Sequence, residues 1–271
     1  MRISSHHALC MLLRLLAAST SLTRPSMISN CRTVIVSALA QQPADNMRRE
    51  DPALRDSAGQ DLTESFLIYH PPLQAHAPLP VDTIPTPLGT SKPRGMVHRD
   101  GDWHRSVHVW LASSSMLLMQ MRSDKKDTFP SRWDVSCAGH MSGNDGSLET
   151  AVRELEEELG LSIDEAAMAS AFVCTIPAEA VGETASHGRF LCREYQDLYV
   201  LPLSAVLGVP AASGSLTVAL EQLTLGAGEV AGVSLRDVNE IFAAWDADDE
   251  AYVPRPPHYR RAMMTALRGM S

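Results

Sequence analysis

The sequence predicts an α/β fold in which helices pack on both faces of a mixed β-sheet. Short apolar runs that are typical of strands recur along the chain, and amphipathic stretches that are typical of helices lie between them. Because strands and helices alternate, the pattern favours a sheet that is sandwiched between helices. The chain has no internal repeat, and its 271 residues are enough to bury a full-sized core of one or two domains.

The first residues differ in composition from the rest of the chain. Residues 1–43 contain four arginines, many serines and threonines, and no acidic residue. This composition is typical of an organelle transit peptide, so we expect a plastid location, with the mitochondrion as the alternative. Residues 44–80 predict a linker, because they mix proline, aspartate, arginine and glutamine with little periodicity. A domain over residues 81–260 and a tail over residues 261–271 complete the predicted organisation.

The predicted elements follow each other in a simple order. Strands are expected over residues 66–69, 107–111, 116–119, 133–138, 171–177, 198–203 and part of 216–233. Helices are expected over residues 148–159 and 235–245, and a C-terminal helix is expected to start in residues 258–261. The first helix is predicted by one apolar stripe, which consists of Leu148, Val152, Leu155 and Leu159.

Composition excludes several classes of protein. The formal net charge is −9, and it falls to about −13 without residues 1–43, so general binding of nucleic acid is not expected. No run of eighteen uncharged apolar residues is present, so no membrane span is expected. The five cysteines form no CxxC pair, and therefore predict neither a zinc cluster nor a disulfide framework. The composition carries no signal for an oligomeric state.

The predicted helix over residues 148–159 concentrates carboxylates on one face. Glu154, Glu157 and Glu158 have the spacing i, i+3 and i+4, at which like charges repel by a few tenths of a kcal/mol per pair, roughly, on a solvated helix. A divalent cation would turn that repulsion into attraction. A glutamate-rich helix is also commonly a solvated face, so the surrounding residues must decide between the two interpretations.

The segment around this helix, Gly139–Leu161, reads GHMSGNDGSLETAVRELEEELGL and resembles the Nudix box, the loop–helix–loop motif of the Nudix hydrolases. The opening glycine, the Arg-Glu-Leu-x-Glu-Glu run and the closing Gly-Leu carry the resemblance. Asp145 is the one departure, since the family has glutamate at that position. The resemblance implies the Nudix fold and the cleavage of a diphosphate linkage in a small molecule with the help of Mg²⁺ or Mn²⁺.

The resemblance also implies roles for individual residues. The main metal ligands would be Glu157 and Glu158, and Glu154 would be a ligand or the general base. The Gly139 carbonyl would lie near the metal, and Arg153 would orient a carboxylate. A carboxylate from outside the box often completes the site, and three candidates remain open here: Glu194, Asp197 and Glu229.

The flanks of the box resemble the isopentenyl-diphosphate isomerase branch of the Nudix superfamily. Residues 117–130, the Trp133 that follows, the Gly-His pair at residues 139–140 and the Trp-His-Arg run at residues 103–105 carry this resemblance. It implies diphosphate contacts from Lys92, Arg122 and Lys126. It also implies metal-binding histidines at His98, His104 and His140, of which His98 fits the spacing least.

One departure favours hydrolysis over isomerisation. The catalytic cysteine of the isomerases corresponds to Ala138, and Cys137 lies one residue earlier, so on a strand it would face the opposite side. We therefore expect hydrolysis of an organic pyrophosphate, with isoprenoid diphosphates as the leading substrates and nucleoside diphosphate derivatives as further candidates. An isomerase and a non-catalytic binding module are the alternatives.

Overall fold

The computed structural model describes residues 35–37, 64–113, 115–126, 128–184, 188–208 and 219–270. The predicted transit peptide over residues 1–43 lies outside these ranges, except for one short strand at residues 35–37. No helix in the described ranges is long and apolar enough to cross a bilayer.

The described strands form one mixed sheet. In chain order they are β1 (Ile35–Ser37), β2 (Ser65–Tyr69), β3 (Pro87–Pro93), β4 (Trp103–Ala112), β5 (Met116–Arg122), β6 (Trp133–Asp134), β7 (Cys137–His140), β8 (Phe172–Thr184), β9 (Gly188–Pro202) and β10 (Val230–Asp237). The main helices are α1 (Arg94–Asp100), α2 (Ser147–Leu159), α3 (Glu165–Ser170), α4 (Leu203–Leu207), α5 (Val238–Asp246) and α6 (Pro257–Gly269).

Strand β4 lies at the centre of the sheet. It pairs antiparallel with β2, β5 and β7, and parallel with β9. Because successive side chains of a strand point to opposite faces, β4 contributes to two separate cores. Val107 and Val109 pack in the first core, and Trp110 and Ala112 pack in the second.

Helices cover both faces of the sheet. Helix α2 places Leu155 and Leu159 in the first core. Helices α5 and α6 place Ile241 and Met263 in the second core. The predicted arrangement, a mixed sheet between helices, is therefore confirmed.

Most predicted elements are present, but their ends differ. Strands β8 and β9 form a long antiparallel hairpin that extends well beyond the predicted ranges 171–177 and 198–203. The extension carries polar cross-strand pairs such as Glu179 with Arg193, whose side chains lie 3.1 Å apart, and so it lacks the apolar pattern of a buried strand. The predicted strand over residues 133–138 is divided into β6 and β7, because the first part pairs with β5 and the second with β4.

The domain extends further at both ends than residues 81–260. Strand β2 lies in the predicted linker, but it pairs with β3 and β4 and buries Phe66 and Ile68. Helix α6 covers most of the predicted tail over residues 261–271. Its buried residues Tyr259, Met263 and Leu267 recur every four positions, which is the spacing of one helix face.

Candidate active site

Helix α2 carries the predicted carboxylate cluster, and local contacts fix its ends. The Gly146 N–H donates to Glu149 Oε2 at 3.1 Å and closes the first turn. Gly160 ends the helix with a left-handed φ of 67°, and its N–H donates to the Glu156 carbonyl. The predicted apolar stripe packs beneath the helix, and Leu155 is fully buried.

Glu158 is a buried carboxylate held by two hydrogen bonds. Its Oε2 accepts one bond from Gln120 Nε2 and one from the Ala138 N–H, each at 3.0 Å. Burial raises the pKa of Glu158, against the opposing effect of the nearby Lys126 charge. Because a carboxylate has about four acceptor positions, this group keeps lone pairs for a cation.

Glu154 lies directly beside Gly139 on β7. A Cβ atom on residue 139 would lie 2.0 Å from Glu154 Cδ, so glycine alone leaves room for this carboxylate. Burial and the neighbouring Glu158 raise the pKa of Glu154 to about 8. Two buried carboxylates that disfavour each other's charge form a donor set that suits a hard divalent cation, so Glu154 and Glu158 fit the predicted metal.

Arg153 connects two glutamates of the same helix. Its Nη2 lies 2.9 Å from Glu154 Oε1, and its Nη1 lies 2.8 Å from Glu157 Oε2. The Glu157 side chain is 51% exposed, so it is far less fixed than Glu158. These contacts fit the predicted orienting role of Arg153, which stays a prediction.

Two of the three predicted phosphate-binding cations lie near the carboxylates. Arg122 Nε donates to the Thr128 carbonyl at 3.0 Å, and Lys126 forms an ion pair with Glu229. Both cations line the same cavity as Glu154. Lys92 lies elsewhere: it pairs with Asp100 and Asp102 and does not line this cavity.

The three predicted histidines come together in a second cluster. The ligand nitrogens of His98, His104 and His140 all lie within 4.8 Å of one another. The His104 Nδ1 lies 3.1 Å from the Asp102 carbonyl oxygen and must donate to it, which leaves Nε2 unprotonated in the neutral ring. His104 Nε2 and His98 Nε2 are both buried, and neither has a hydrogen-bond partner in the described part of the chain, although His104 Nε2 lies 3.7 Å from Glu194 Oε1. Buried ring nitrogens without a hydrogen bond fit a metal ion.

Glu194 on β9 joins this histidine cluster. Its Oε1 accepts from Cys192 Sγ at 3.0 Å and lies 3.2 Å from His140 Nε2. Burial opposes ionisation, but the His104 and His140 imidazoles hold the pKa of Glu194 well below its usual range. Ser106 Oγ donates to Oε2 at 3.0 Å.

The other acidic candidates have separate surroundings. Asp197 is buried, pairs with Arg105 and accepts from Thr175 Oγ1 at 2.7 Å, and it does not line the cavity. Glu229 lines the cavity beside Lys126. Asp145, the departure within the box, lines the cavity from the loop before α2. Glu194 is therefore the outside carboxylate that lies within a candidate metal cluster.

An open cavity of about 2100 Å³ reaches both clusters, although His98 and His104 do not line it. Its lining includes Glu154 and Glu158 on one side and His140 and Glu194 on the other. Three consecutive residues of β7 connect the clusters, because the Ala138 N–H contacts Glu158, residue 139 contacts Glu154, and residue 140 contacts Glu194. The cavity exceeds the roughly 300–1,000 Å³ of common ligand pockets, so a small substrate would fill part of it.

Sequence reasoning missed three residues of this cavity. Cys192 lies two residues before Glu194 on β9. Its place in the histidine cluster follows from the pairing of β9 with β4, which puts His104 opposite Glu194. Asp134 and Arg255 form an ion pair at the cavity wall, although 121 positions separate them in the sequence. Local spacing contains no signal for such a pair.

Part of the chain is similar in sequence to known proteins. Residues 102–208 match the model of the NUDIX domain family. Nudix hydrolase 3 from Arabidopsis thaliana is 42% identical over 168 residues, which are 61% of this chain and 20% of that protein. The isopentenyl-diphosphate Delta-isomerase from Serratia proteamaculans is 31% identical over 121 residues, which are 44% of this chain and 62% of that protein.

Among solved structures, DR0079 from Deinococcus radiodurans aligns with a TM-score of 0.41 and 15% identity, over 74% of this chain and 98% of that one. The chain spans only about a fifth of the length of the Arabidopsis relative. The matched region contains β4, the whole box and Glu194. The part of the chain that matches the NUDIX domain model is therefore the part that carries the candidate carboxylates of α2 and Glu194.

Proposed function

We propose that this chain is a Mg²⁺- or Mn²⁺-dependent hydrolase that cleaves a diphosphate linkage in a small organic pyrophosphate. The observation that carries the proposal is the pair of buried carboxylates, Glu154 and Glu158, beside Gly139 in a cavity that Arg122 and Lys126 also line. Diphosphate cleavage needs both features, since anionic groups must hold a cation while cationic groups hold the phosphates.

Each of these residues has a definite role in the proposed reaction. Glu158, fixed by Gln120 and the Ala138 N–H, would hold the metal together with Glu154 and the exposed carboxylate of Glu157. When bound, the divalent cation shields phosphate charge and stabilises the charge that develops on the leaving oxygen. Arg153 orients Glu154, which is also within the site to accept a proton from the attacking water.

Isoprenoid diphosphates are the substrate class that we favour, with nucleoside diphosphate derivatives as the second class. Support comes from the flanks of the box, which place Arg122 and Lys126 at the cavity, and from relatives that include isopentenyl-diphosphate isomerases. Specificity in a shared fold depends on residues outside the common motif, so the substrate must be found by direct assay.

The isomerase alternative is disfavoured by the position of the thiol. Cys137 is fully buried in the first core, and burial raises the pKa of its thiol well above the usual range. Ala138, which has no proton to transfer, is the residue that lines the cavity. Incubation with isopentenyl diphosphate separates the two reactions, because hydrolysis of the diphosphate linkage releases phosphate and isopentenyl phosphate, whereas an isomerase forms dimethylallyl diphosphate.

A turnover screen with Mg²⁺ tests the proposal. The panel contains isoprenoid diphosphates, nucleotide sugars and nucleoside diphosphate derivatives. Products are identified by chromatography, because cleavage of a nucleotide sugar yields two phosphate monoesters and no free phosphate. We expect Glu158→Gln to lower kcat on the preferred substrate by on the order of 100-fold, because it removes a charge that the metal needs.

Glu165→Gln, an exposed change on α3, provides the matched control and should leave kcat unchanged. A folded Glu158→Gln protein with the wild-type rate would contradict the proposal. Failure of both turnover and metal binding across the panel would favour a non-catalytic binding module.

A further inference from the structure

Arg255 is a buried cation on the cavity wall that the proposed reaction has not used. It lies in the segment between α5 and α6, outside residues 102–208, and its side chain is 8% exposed. A guanidinium group has five N–H donors. Within the described ranges, Asp134 Oδ1 is the one acceptor that Arg255 bonds to, so most of its donors have no protein partner there.

Arg255 packs against the ring of Tyr259, which is itself held in place. Its guanidinium carbon lies 5.1 Å from the centre of the Tyr259 ring, within the range of a cation–π contact. The Tyr259 hydroxyl accepts from Trp110 Nε1 at 2.8 Å and lies 3.0 Å from His108 Nδ1. Tyr259 is fully buried, so the surface under Arg255 cannot easily move.

Arg255 shares its carboxylate partner with Arg122. Arg122 Nη1 lies 3.0 Å from Asp134 Oδ2, while Arg255 bonds to the other oxygen. The Val135 N–H donates to Oδ1 at 2.8 Å and fixes the carboxylate further. Asp134 alone does not balance two guanidinium groups, so the pair retains positive charge that an anion in the cavity can meet.

This arginine pair borders the carboxylates of α2. Asp134 pairs with Gln120 across β5 and β6, and the Gln120 amide donates to Glu158. Side chains of directly opposite residues lie about 5 Å apart at their Cβ atoms. An anion at the arginine pair would therefore lie next to the candidate metal site.

We propose that Arg255 and Arg122, which share Asp134, together bind one phosphate group of the diphosphate substrate. This phosphate is the one that lies farther from the metal. The planar fork of arginine matches phosphate oxygens two at a time, which suits the unused donors of Arg255. The identification of the phosphate as substrate rests on the proposed hydrolase function, whereas the anion site itself does not.

Binding of methylenediphosphonate, a diphosphate whose bridge cannot be hydrolysed, tests the site by calorimetry on the full chain with Mg²⁺. We expect Arg255→Met to weaken binding by about 10- to 100-fold, because it removes charged hydrogen bonds. Arg255→Lys should bind with intermediate affinity, since an ammonium group keeps the Asp134 ion pair but lacks the fork. Arg261→Met, an exposed change on α6, is the matched control and should bind like the wild type.

The results separate this inference from the proposed function. If the wild type binds methylenediphosphonate through Arg255 but hydrolyses no compound of the panel, the anion site stands and the hydrolase proposal fails. The inference is overturned if the wild type does not bind methylenediphosphonate, or if folded Arg255→Met binds it as tightly as the wild type. Thermal unfolding shows whether Arg255→Met is folded, and if it is not, wild-type affinity in Arg255→Lys overturns the inference.

Discussion

Gly139 lies where β7 passes the Glu154 carboxylate, and the contact leaves no room for a side chain. An added Cβ would lie 2.0 Å from both Glu154 Cδ and Oε1. Because β7 is paired with β4 over all four residues, the strand cannot yield easily, and the glutamate must move instead. In this chain, the first glycine of the box is therefore required because any side chain at residue 139 would collide with Glu154.

The substitution Gly139→Ala should therefore displace Glu154 and impair the metal site more than the fold. We expect Mn²⁺ affinity, measured by calorimetry, to fall by about 10- to 100-fold, a loss typical of a disturbed ligand position. Gly269→Ala, at a residue with open space around its Cα, is the control. Unchanged Mn²⁺ affinity in folded Gly139→Ala would show that Glu154 is not a ligand.

Residue spacing predicted the part of the site that lies on one helix. The positions of Glu154 and Glu158 on α2 follow from the 3.6-residue period, and Gly160 follows from the left-handed helix end. Residue spacing could not show that Glu194, and not Asp197, belongs to the candidate site. The parallel pairing of β4 with β9, which puts Glu194 opposite His104, is a long-range choice that no local pattern records.

Helix α6 shows the same limit at the scale of an element. Its proline at the first helical position is a common helix start, so the local sequence indicates where the helix begins but not how far it extends. Its apolar face becomes clear only from the second core, where Tyr259, Met263 and Leu267 pack with Ile241 and Trp245 of α5. Tertiary packing of one face, more than propensity, stabilises such a helix.

Truncation of Met263 measures what α6 contributes to the fold. The residue is fully buried, and we expect Met263→Ala to lower the free energy of unfolding by about 2–5 kcal/mol, as for other large-to-small changes in a core. Urea denaturation checks the value. Thr265→Ala on the exposed side of α6 should change stability by less than about 0.5 kcal/mol. If both variants unfolded at the same urea concentration as the wild type, α6 would not be part of the cooperative fold.

At the scale of the whole molecule, one sheet carries two chemically different ligand sets, and the second set reaches the cavity through His140, Cys192 and Glu194. The set on α2 offers carboxylate oxygens, which suit Mg²⁺ and Mn²⁺. The other set offers ring nitrogens of His98, His104 and His140 as ligands. Cys192 and Glu194 lie close to His104 and could also contribute ligand atoms. Imidazole groups favour zinc and related ions, so the two sets should differ in metal preference.

Thermal unfolding of the chelator-treated protein can separate these two sites. An ion that binds the folded state alone stabilises it by about 2.7 kcal/mol at 100 times its Kd, so Mg²⁺ and Zn²⁺ should each raise the Tm. We expect His104→Asn to lose the response to Zn²⁺ and to keep the response to Mg²⁺, because His104 Nε2 is a buried ring nitrogen with no hydrogen-bond partner in the described structure. Glu158→Gln should show the opposite pattern.

His70→Asn, at an exposed histidine, should keep both responses. A full Zn²⁺ response in His104→Asn would mean that zinc binds elsewhere, and a joint loss of both responses in either variant would mean that the two ligand sets form a single site.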